Sequence, residues 1–272
     1  MSLSVVEHRR RIEGLNVRYL SAGAGPAVIL LHGASLGSSA DVWTRNLPTL
    51  AAHGLRAIAP DLPGFGDTDN PQDHSLGYRK RFVPALMEAL DLPRAALVGH
   101  SQAGRIAVEL AFSEPQRVAK VVVLCTGSLL PPLEGSSAAE GEEGPSAEPT
   151  LEDARRLLEF NLHNKALATD EAVRLRHRMS TGKNYQAFLA RKQAKGGGQG
   201  GEPLWQRLAQ CPVPLVMLYG EHDRGEAARR VHQAKERYPQ LDVRLLPRAA
   251  HLAQWDAADA FAEIVGGFLT RA

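Results

Sequence analysis

The sequence predicts an α/β fold: a mostly parallel eight-stranded sheet flanked by helices, with an inserted helical cap. Three observations predict it. Short, continuously apolar runs at residues 27–31, 55–60, 95–98, 121–125 and 213–219 read as strands buried on both faces. Helical patterns at 43–53, 79–90, 102–113, 224–238 and 257–270 alternate with them, which builds a parallel sheet covered on both sides. The alternation then breaks between about 128 and 210, where helical patterns follow one another with no strand between them.

In chain order, residues 4–13 and 15–21 read as a hairpin around Gly14-Leu15, and residues 241–246 as the last strand. Residues 133–149 are rich in Gly, Ser, Glu and Pro and carry five acidic residues and no basic one, the composition of a solvated loop. Residues 195–201 are a glycine-rich linker. The expected organisation is a core of residues 1–128 and 211–272, with a cap at 129–210 that carries flexible loops at about 133–149 and 195–201.

The bulk numbers narrow the function class. With 272 residues, 44% hydrophobic and 23% charged, the chain has the composition of a globular protein with a sizeable core. A net charge of +2 argues against a nucleic-acid or membrane-surface partner. Residues 1–11 contain no apolar core of a signal peptide, and no apolar run reaches the length of a membrane span, so a cytoplasmic location is expected. Cys125 and Cys211 read as buried free thiols. The ten histidines form no HExxH or His/Cys cluster, so neither metal nor cofactor is implied. The implied partner is a small-molecule substrate, and a homodimer stays open.

The chemistry begins at Gly99-His100-Ser101-Gln102-Ala103-Gly104, between a strand and a helix. This is the setting of a nucleophile elbow, in which a tight turn lifts a serine hydroxyl above the sheet. Gly99 and Ala103 supply small side chains two residues to either side, and the helix N-terminus faces developing negative charge. A serine needs a base, and triads on such an elbow run in the chain order serine, acid, histidine. Strand 213–219 is followed by Gly220-Glu221-His222-Asp223, and strand 241–246 by Pro247-Arg248-Ala249-Ala250-His251. Asp223 is the expected acid, Glu221 its rival, His251 the base, and His222 an exposed loop residue. After 121–125 only Thr126-Gly127-Ser128 follows, which strengthens Asp223. The loop His32-Gly33-Ala34-Ser35-Leu36-Gly37 is expected to give the second oxyanion donor, from Ala34 or Ser35, beside Gln102. His32 is expected to bond loop backbone. Asp61, in Asp61-Leu62-Pro63-Gly64-Phe65-Gly66, is expected to fix a turn.

Together these motifs resemble the α/β-hydrolase superfamily over nearly the whole chain. Serine at position 101 disfavours its aspartate-nucleophile branches. The stretches Pro149-Thr150-Leu151-Glu152, Leu167-Ala168-Thr169-Asp170-Glu171 leading to Arg176, and Ala253-Gln254-Trp255 look most like the meta-cleavage-product hydrolases, which cut carbon–carbon bonds in vinylogous diketones. The resemblance implies that Arg176 binds an anionic substrate group. His100 and Leu252 stand where that family has Asn and Trp, both in its pocket. An ester or lactone hydrolase is therefore the first expectation, carbon–carbon hydrolysis the alternative, and a non-hydrolytic triad enzyme or ligand receptor the third.

Arg176 has independent support. On a helix from 171 to 180, Ala172, Leu175 and Met179 share a face whose arc includes Arg176, while Arg174 and Arg178 point away. The competing reading is an internal ion pair with Glu152 or Asp153. Lys165, Lys183, Arg191, Lys192 and Lys195 read as solvated surface. Trp255 and Phe261 read as core, and Trp43 as core or pocket wall.

Overall fold

A computed structural model describes residues 3–133, 147–194 and 203–271. Most of the expected loop at 133–149 and all of that at 195–201 lie outside the described residues. The sheet contains β1 (Val6–Ile12), β2 (Leu15–Ala22), β3 (Ala27–Leu31), β4 (Arg56–Pro60), β5 (Ala95–His100), β6 (Val118–Leu124), β7 (Leu215–Gly220) and β8 (Asp242–Leu246). Its order is β1-β2-β4-β3-β5-β6-β7-β8. Only β2 runs against its neighbours. The β1–β2 turn is Glu13-Gly14, both at positive φ, as a two-residue hairpin turn requires, so Leu15 already belongs to β2.

The helices are α1 (Asn46–Ala52), α2 (Leu76–Ala89), α3 (Gln102–Ser113), α4 (Leu151–Phe160), α5 (Asp170–Arg178), α6 (Lys183–Gln193), α7 (Leu204–Arg207), α8 (Ala227–Arg237), α9 (Ala253–Asp256) and α10 (Ala258–Thr270). A period of two along the strands divides the core. Ile29 and Leu31 of β3 pack in one layer with Phe82 of α2, Ile106 of α3 and Val231 of α8. Val28 and Leu30 pack in the other with Leu47 of α1 and Phe261 of α10. Continuous apolar strands are needed because both faces are covered.

Helices α4, α5 and α6 fall between β6 and β7 in the chain and are pinned to loops beyond the strand ends. Leu252 N–H donates to Asn161 O (2.8 Å), Arg178 pairs with Asp67, and Lys183 Nζ donates to Thr68 O (2.6 Å). Lys165, Lys183 and Lys192 are exposed as expected, whereas Arg191 is buried, because its face of α6 packs on the turn at Gly64. Lys195 lies outside the described residues. Trp255 is half-buried rather than core, since its indole N–H donates to Val42 O (2.6 Å) at the edge of a cleft. Trp43 and Phe261 are fully buried. Among the described residues no helix is long and apolar enough to cross a membrane.

One buried ionic network fixes the loops on which the site is built. Asp61 is fully buried and accepts from Ala40 N–H (2.6 Å), Asp67 N–H (2.8 Å) and the Arg18 guanidinium (3.2 Å). Arg18 also donates to Asp41 (2.9 Å) and Glu7 (2.8 Å). A Cβ at Gly66 would lie 2.2 Å from Asp61 Oδ2, so the turn closes around the carboxylate only with glycine there. Asp61 thus fixes a turn, as its motif suggested. Asp61→Asn would set an amide N–H against the Asp67 N–H and leave Arg18 short of a counter-charge. The expected cost is about 3–5 kcal/mol, read as a lower urea midpoint at an unchanged m-value; an unchanged midpoint would contradict this role.

Candidate active site

The elbow is built from close approaches. Ser101 sits at φ 55° and ψ −129°, a strained conformation for a residue with a Cβ. It is held by Ser101 N–H donating to Leu124 O (2.8 Å) and by the Thr126 hydroxyl donating to Ser101 O (2.7 Å). A Cβ at Gly99 would fall 2.4 Å from Ala103 O, and one at Gly104 would fall 2.1 Å from Thr126 Oγ1. The motif's second indispensable small residue is therefore Gly104, with Ala103 simply buried. Thr126, passed over in the sequence as part of a loop lacking an acid, is a brace for the elbow.

Asp223 and His251 arrive on neighbouring strand ends. A Cβ at Gly220 would meet Ala250 O at 2.3 Å and Ala249 O at 2.5 Å, so glycine lets the β7 and β8 loops run against each other. Asp223 Oδ1 accepts from His251 Nδ1–H at 2.8 Å, and both residues are buried. The Ser101 hydroxyl donates to His251 Nε2 at 3.1 Å. Serine, histidine and aspartate are thus joined in one chain of hydrogen bonds, the geometry of nucleophile, base and orienting acid. Glu221 and His222 are exposed; Glu221 accepts from Arg248 N–H (3.3 Å) and His222 stacks on His163. Asp256 Oδ2 accepts from Ala250 N–H (2.9 Å) and His163 N–H (2.8 Å), tying the histidine loop to the segment after α4. That contact joins residues distant in sequence, and no local pattern marks it.

His32 bonds loop backbone as expected: Leu62 N–H donates to its Nε2 (3.0 Å), so Nδ1 carries the proton and donates to Gly33 O (2.7 Å). Burial brings its pKa down to about 4, so it stays neutral. A Cβ at Gly33 would lie 3.0 Å from Ser101 Cβ, so the loop after β3 runs against Ser101. Gln102 opens α3 directly after Ser101. His100 is buried beneath the base, with Nε2–H donating to His251 O (2.8 Å). Burial, then the nearby His251, pushes its pKa well below the ordinary value.

Beside Leu252 a cleft of about 190 Å³ opens between the inserted helices and the core. Its apolar wall includes Val42, Leu158, Leu175, Leu252 and Trp255, and Arg176 faces it. Arg176 is 8% exposed and its Nη2 donates to Leu36 O at 2.9 Å. Of the two carboxylates suggested as its ion-pair partner, Glu152 is exposed, and Asp153 closes the α4 capping box with Thr150 and pairs with Arg156. His100, Ser101 and His251 do not line this cleft; it approaches them through Leu252. Among the described residues, Cys125, Asp223 and His251 place potential metal-ligand atoms within 4.8 Å of one another. Burial pushes the Cys125 thiol well above its ordinary pKa, and the Asp223 and His251 atoms already bond each other, so the set suits a triad and not a metal.

The family pattern of the alpha/beta hydrolase fold matches residues 26–258. The 2-hydroxy-6-oxo-6-phenylhexa-2,4-dienoate hydrolase of Burkholderia cepacia is 30% identical, over 97% of this chain and 95% of its own length. The 2-hydroxy-6-oxononadienedioate/2-hydroxy-6-oxononatrienedioate hydrolase of Comamonas testosteroni is 29% identical, again over 97% and 95%. A solved 2-hydroxy-6-oxo-6-phenylhexa-2,4-dienoate hydrolase from Rhodococcus sp. strain RHA1 has the same fold, with a TM-score of 0.83 at 23% identity, covering 98% of this chain and 99% of that one.

Asp223→Asn should keep the site's shape but favour the wrong imidazole tautomer, lowering kcat by about 10⁴. Glu221→Gln, on the surface, should change it little. Steady-state kinetics of the two variants decides between the acids; a reversed order of severity would reassign the role to Glu221.

Proposed function

This chain belongs to the alpha/beta hydrolase fold family, and from that premise we propose that it is a carbon–carbon bond hydrolase of 2-hydroxy-6-oxo-dienoates. It is a hydrolase of the serine type and most like the meta-cleavage-product branch. The proposed roles are Ser101 as nucleophile, His251 as base and Asp223 as the acid that orients it. The amide of Gln102 and that of Ala34 or Ser35 receive the oxyanion.

In this reading Arg176 holds the anionic end of the substrate while the dienol tautomerises to its keto form. Ser101 Oγ then attacks the ketone as His251 takes the hydroxyl proton. The tetrahedral oxyanion collapses, the carbon–carbon bond breaks, and its electron pair leaves on the dienoate fragment, which takes a proton from His251. Water deprotonated by His251 then releases the acyl group from Ser101 as a carboxylic acid.

The observation that carries this reading is the buried guanidinium of Arg176 in the cleft beside Leu252. Arg176 shares this cleft with Asp41, Arg45 and Glu171, and its guanidinium can give a charge-assisted hydrogen bond there to an anionic group of a bound molecule. This favours carbon–carbon hydrolysis over the ester or lactone reading that the sequence placed first. The second reading keeps one supporting observation: Leu252 makes the cleft wall apolar, and His100 lies under the base outside the cleft. That arrangement suits a neutral ester. Arg176→Gln separates the two. The ratio of kcat/KM for 2-hydroxy-6-oxo-6-phenylhexadienoate to that for a neutral aryl ester should fall about 10- to 150-fold, the loss of one charge-assisted hydrogen bond. Equal losses on both substrates with a lowered Tm would make Arg176 a structural residue and put the ester reading first.

A further inference from the structure

Two other arginines are buried near Phe65, one of them bonded to Gln102. Arg79 of α2 is 6% exposed and Arg191 of α6 is 8% exposed. Both guanidiniums sit over the ring of Phe65, at 5.7 Å and 3.8 Å from its centroid. Arg79 Nη1 donates to Gln102 Oε1 (2.8 Å), and Arg191 Nη1 donates to Gly64 O (2.8 Å). Among the described residues neither forms an ion pair, and Arg79 Nε and the Nδ1 of His74 are buried without a hydrogen-bond partner. Burial brings Arg79 down to about 10; burial and the charge of Arg79 bring Arg191 down to about 9. Both remain cations at neutral pH, held near each other with only a π face and neutral oxygens for compensation.

Their position gives the arrangement a use. Gln102, to which Arg79 is bonded, follows Ser101, and both Ser101 and Gln102 are partly exposed. Arg191 comes from α6 and Arg79 from α2, so the pair joins the inserted helices to the core. None of Arg79, Arg191, Phe65 and Gln102 lines the cleft at Arg176.

We propose that Arg79 and Arg191 form a second anion subsite, which binds a carboxylate on the acyl side chain of the substrate and makes dioates the preferred substrate class. This rests on the carbon–carbon hydrolase reading for the reaction, but the subsite is testable apart from it. Two matched pairs serve: a 2-hydroxy-6-oxo-dienedioate against the dienoate with a methyl group in place of the distal carboxylate, and p-nitrophenyl hydrogen glutarate against p-nitrophenyl valerate. In Arg191→Gln and Arg79→Gln, the ratio of kcat/KM for the acid-tailed to the neutral-tailed member should fall about 10- to 150-fold, mainly through KM. A change under about threefold in both variants would overturn the proposal. Thermal shift of the wild type gives a readout free of catalysis and of any variant's folding: glutarate should raise Tm more than valerate at equal concentration. Equal shifts would also overturn it. Failure of the carbon–carbon reading looks different, since the wild type would then turn over neither dienoate while the ester pair and the thermal shifts still report on the two arginines.

Discussion

A positive φ at Ser101, a residue with a Cβ, is the constraint around which the site is arranged. Such a conformation costs on the order of 1–3 kcal/mol and persists only where its surroundings over-determine it. Here they do. The turn leaves no space for a side chain at Gly99 or Gly104, Thr126 anchors the serine carbonyl, and Leu124 anchors its N–H. Gly33 closes the approach from the other side. Strand β5 lies between β3 and β6, so the elbow, the loop after β3 and Thr126 meet because of sheet order. The strain keeps the hydroxyl within reach of His251 without a rearrangement at the moment of reaction.

The same sheet order explains what could be read beforehand. Helix α3 was legible to the residue because small residues, an apolar strand and a helical pattern adjoin in sequence. That Asp223 and His251 come together could be anticipated because each follows its strand at a short offset and the two strands are neighbours. Strand β5 extends two residues and β6 three residues beyond their apolar runs, since Gly99, His100 and Val118 pair in the ladder without belonging to those runs. The contacts of Thr126 to Ser101, Asp256 to Ala250 and His163, and Arg79 to Gln102 were not legible, because most of them join segments distant in sequence. Arg191 was misread for a related reason: α6 carries basic residues on more than one face, and only packing on the Phe65 turn shows which of them is buried.

Charge placement separates this site from a plain apolar ester pocket. Three guanidiniums are buried here: Arg176 lines the cleft beside Leu252, and Arg79 and Arg191 meet over the ring of Phe65. Arg18, also buried, is instead surrounded by Glu7, Asp41 and Asp61. The contrast is chemical. Arg18 is a structural cation with its anions supplied by the fold, while among the described residues Arg79 and Arg191 are bonded to neutral oxygens, an arrangement that favours a ligand bringing its own negative charge.

The central claim is that Ser101 performs covalent catalysis on the ketone of a dienoate. Stopped-flow absorbance with rapid-quench product analysis tests it most directly, comparing wild type with Ser101→Ala on the same dienoate. The account predicts that the wild type loses the dienoate chromophore, labels Ser101 transiently with the acyl group, and releases one carboxylic acid per dienoate fragment. It predicts that Ser101→Ala binds the dienoate yet loses on the order of 10⁶ in kcat. Turnover by Ser101→Ala near the wild-type rate, or products formed with no acyl group on Ser101 at any time point, would contradict it.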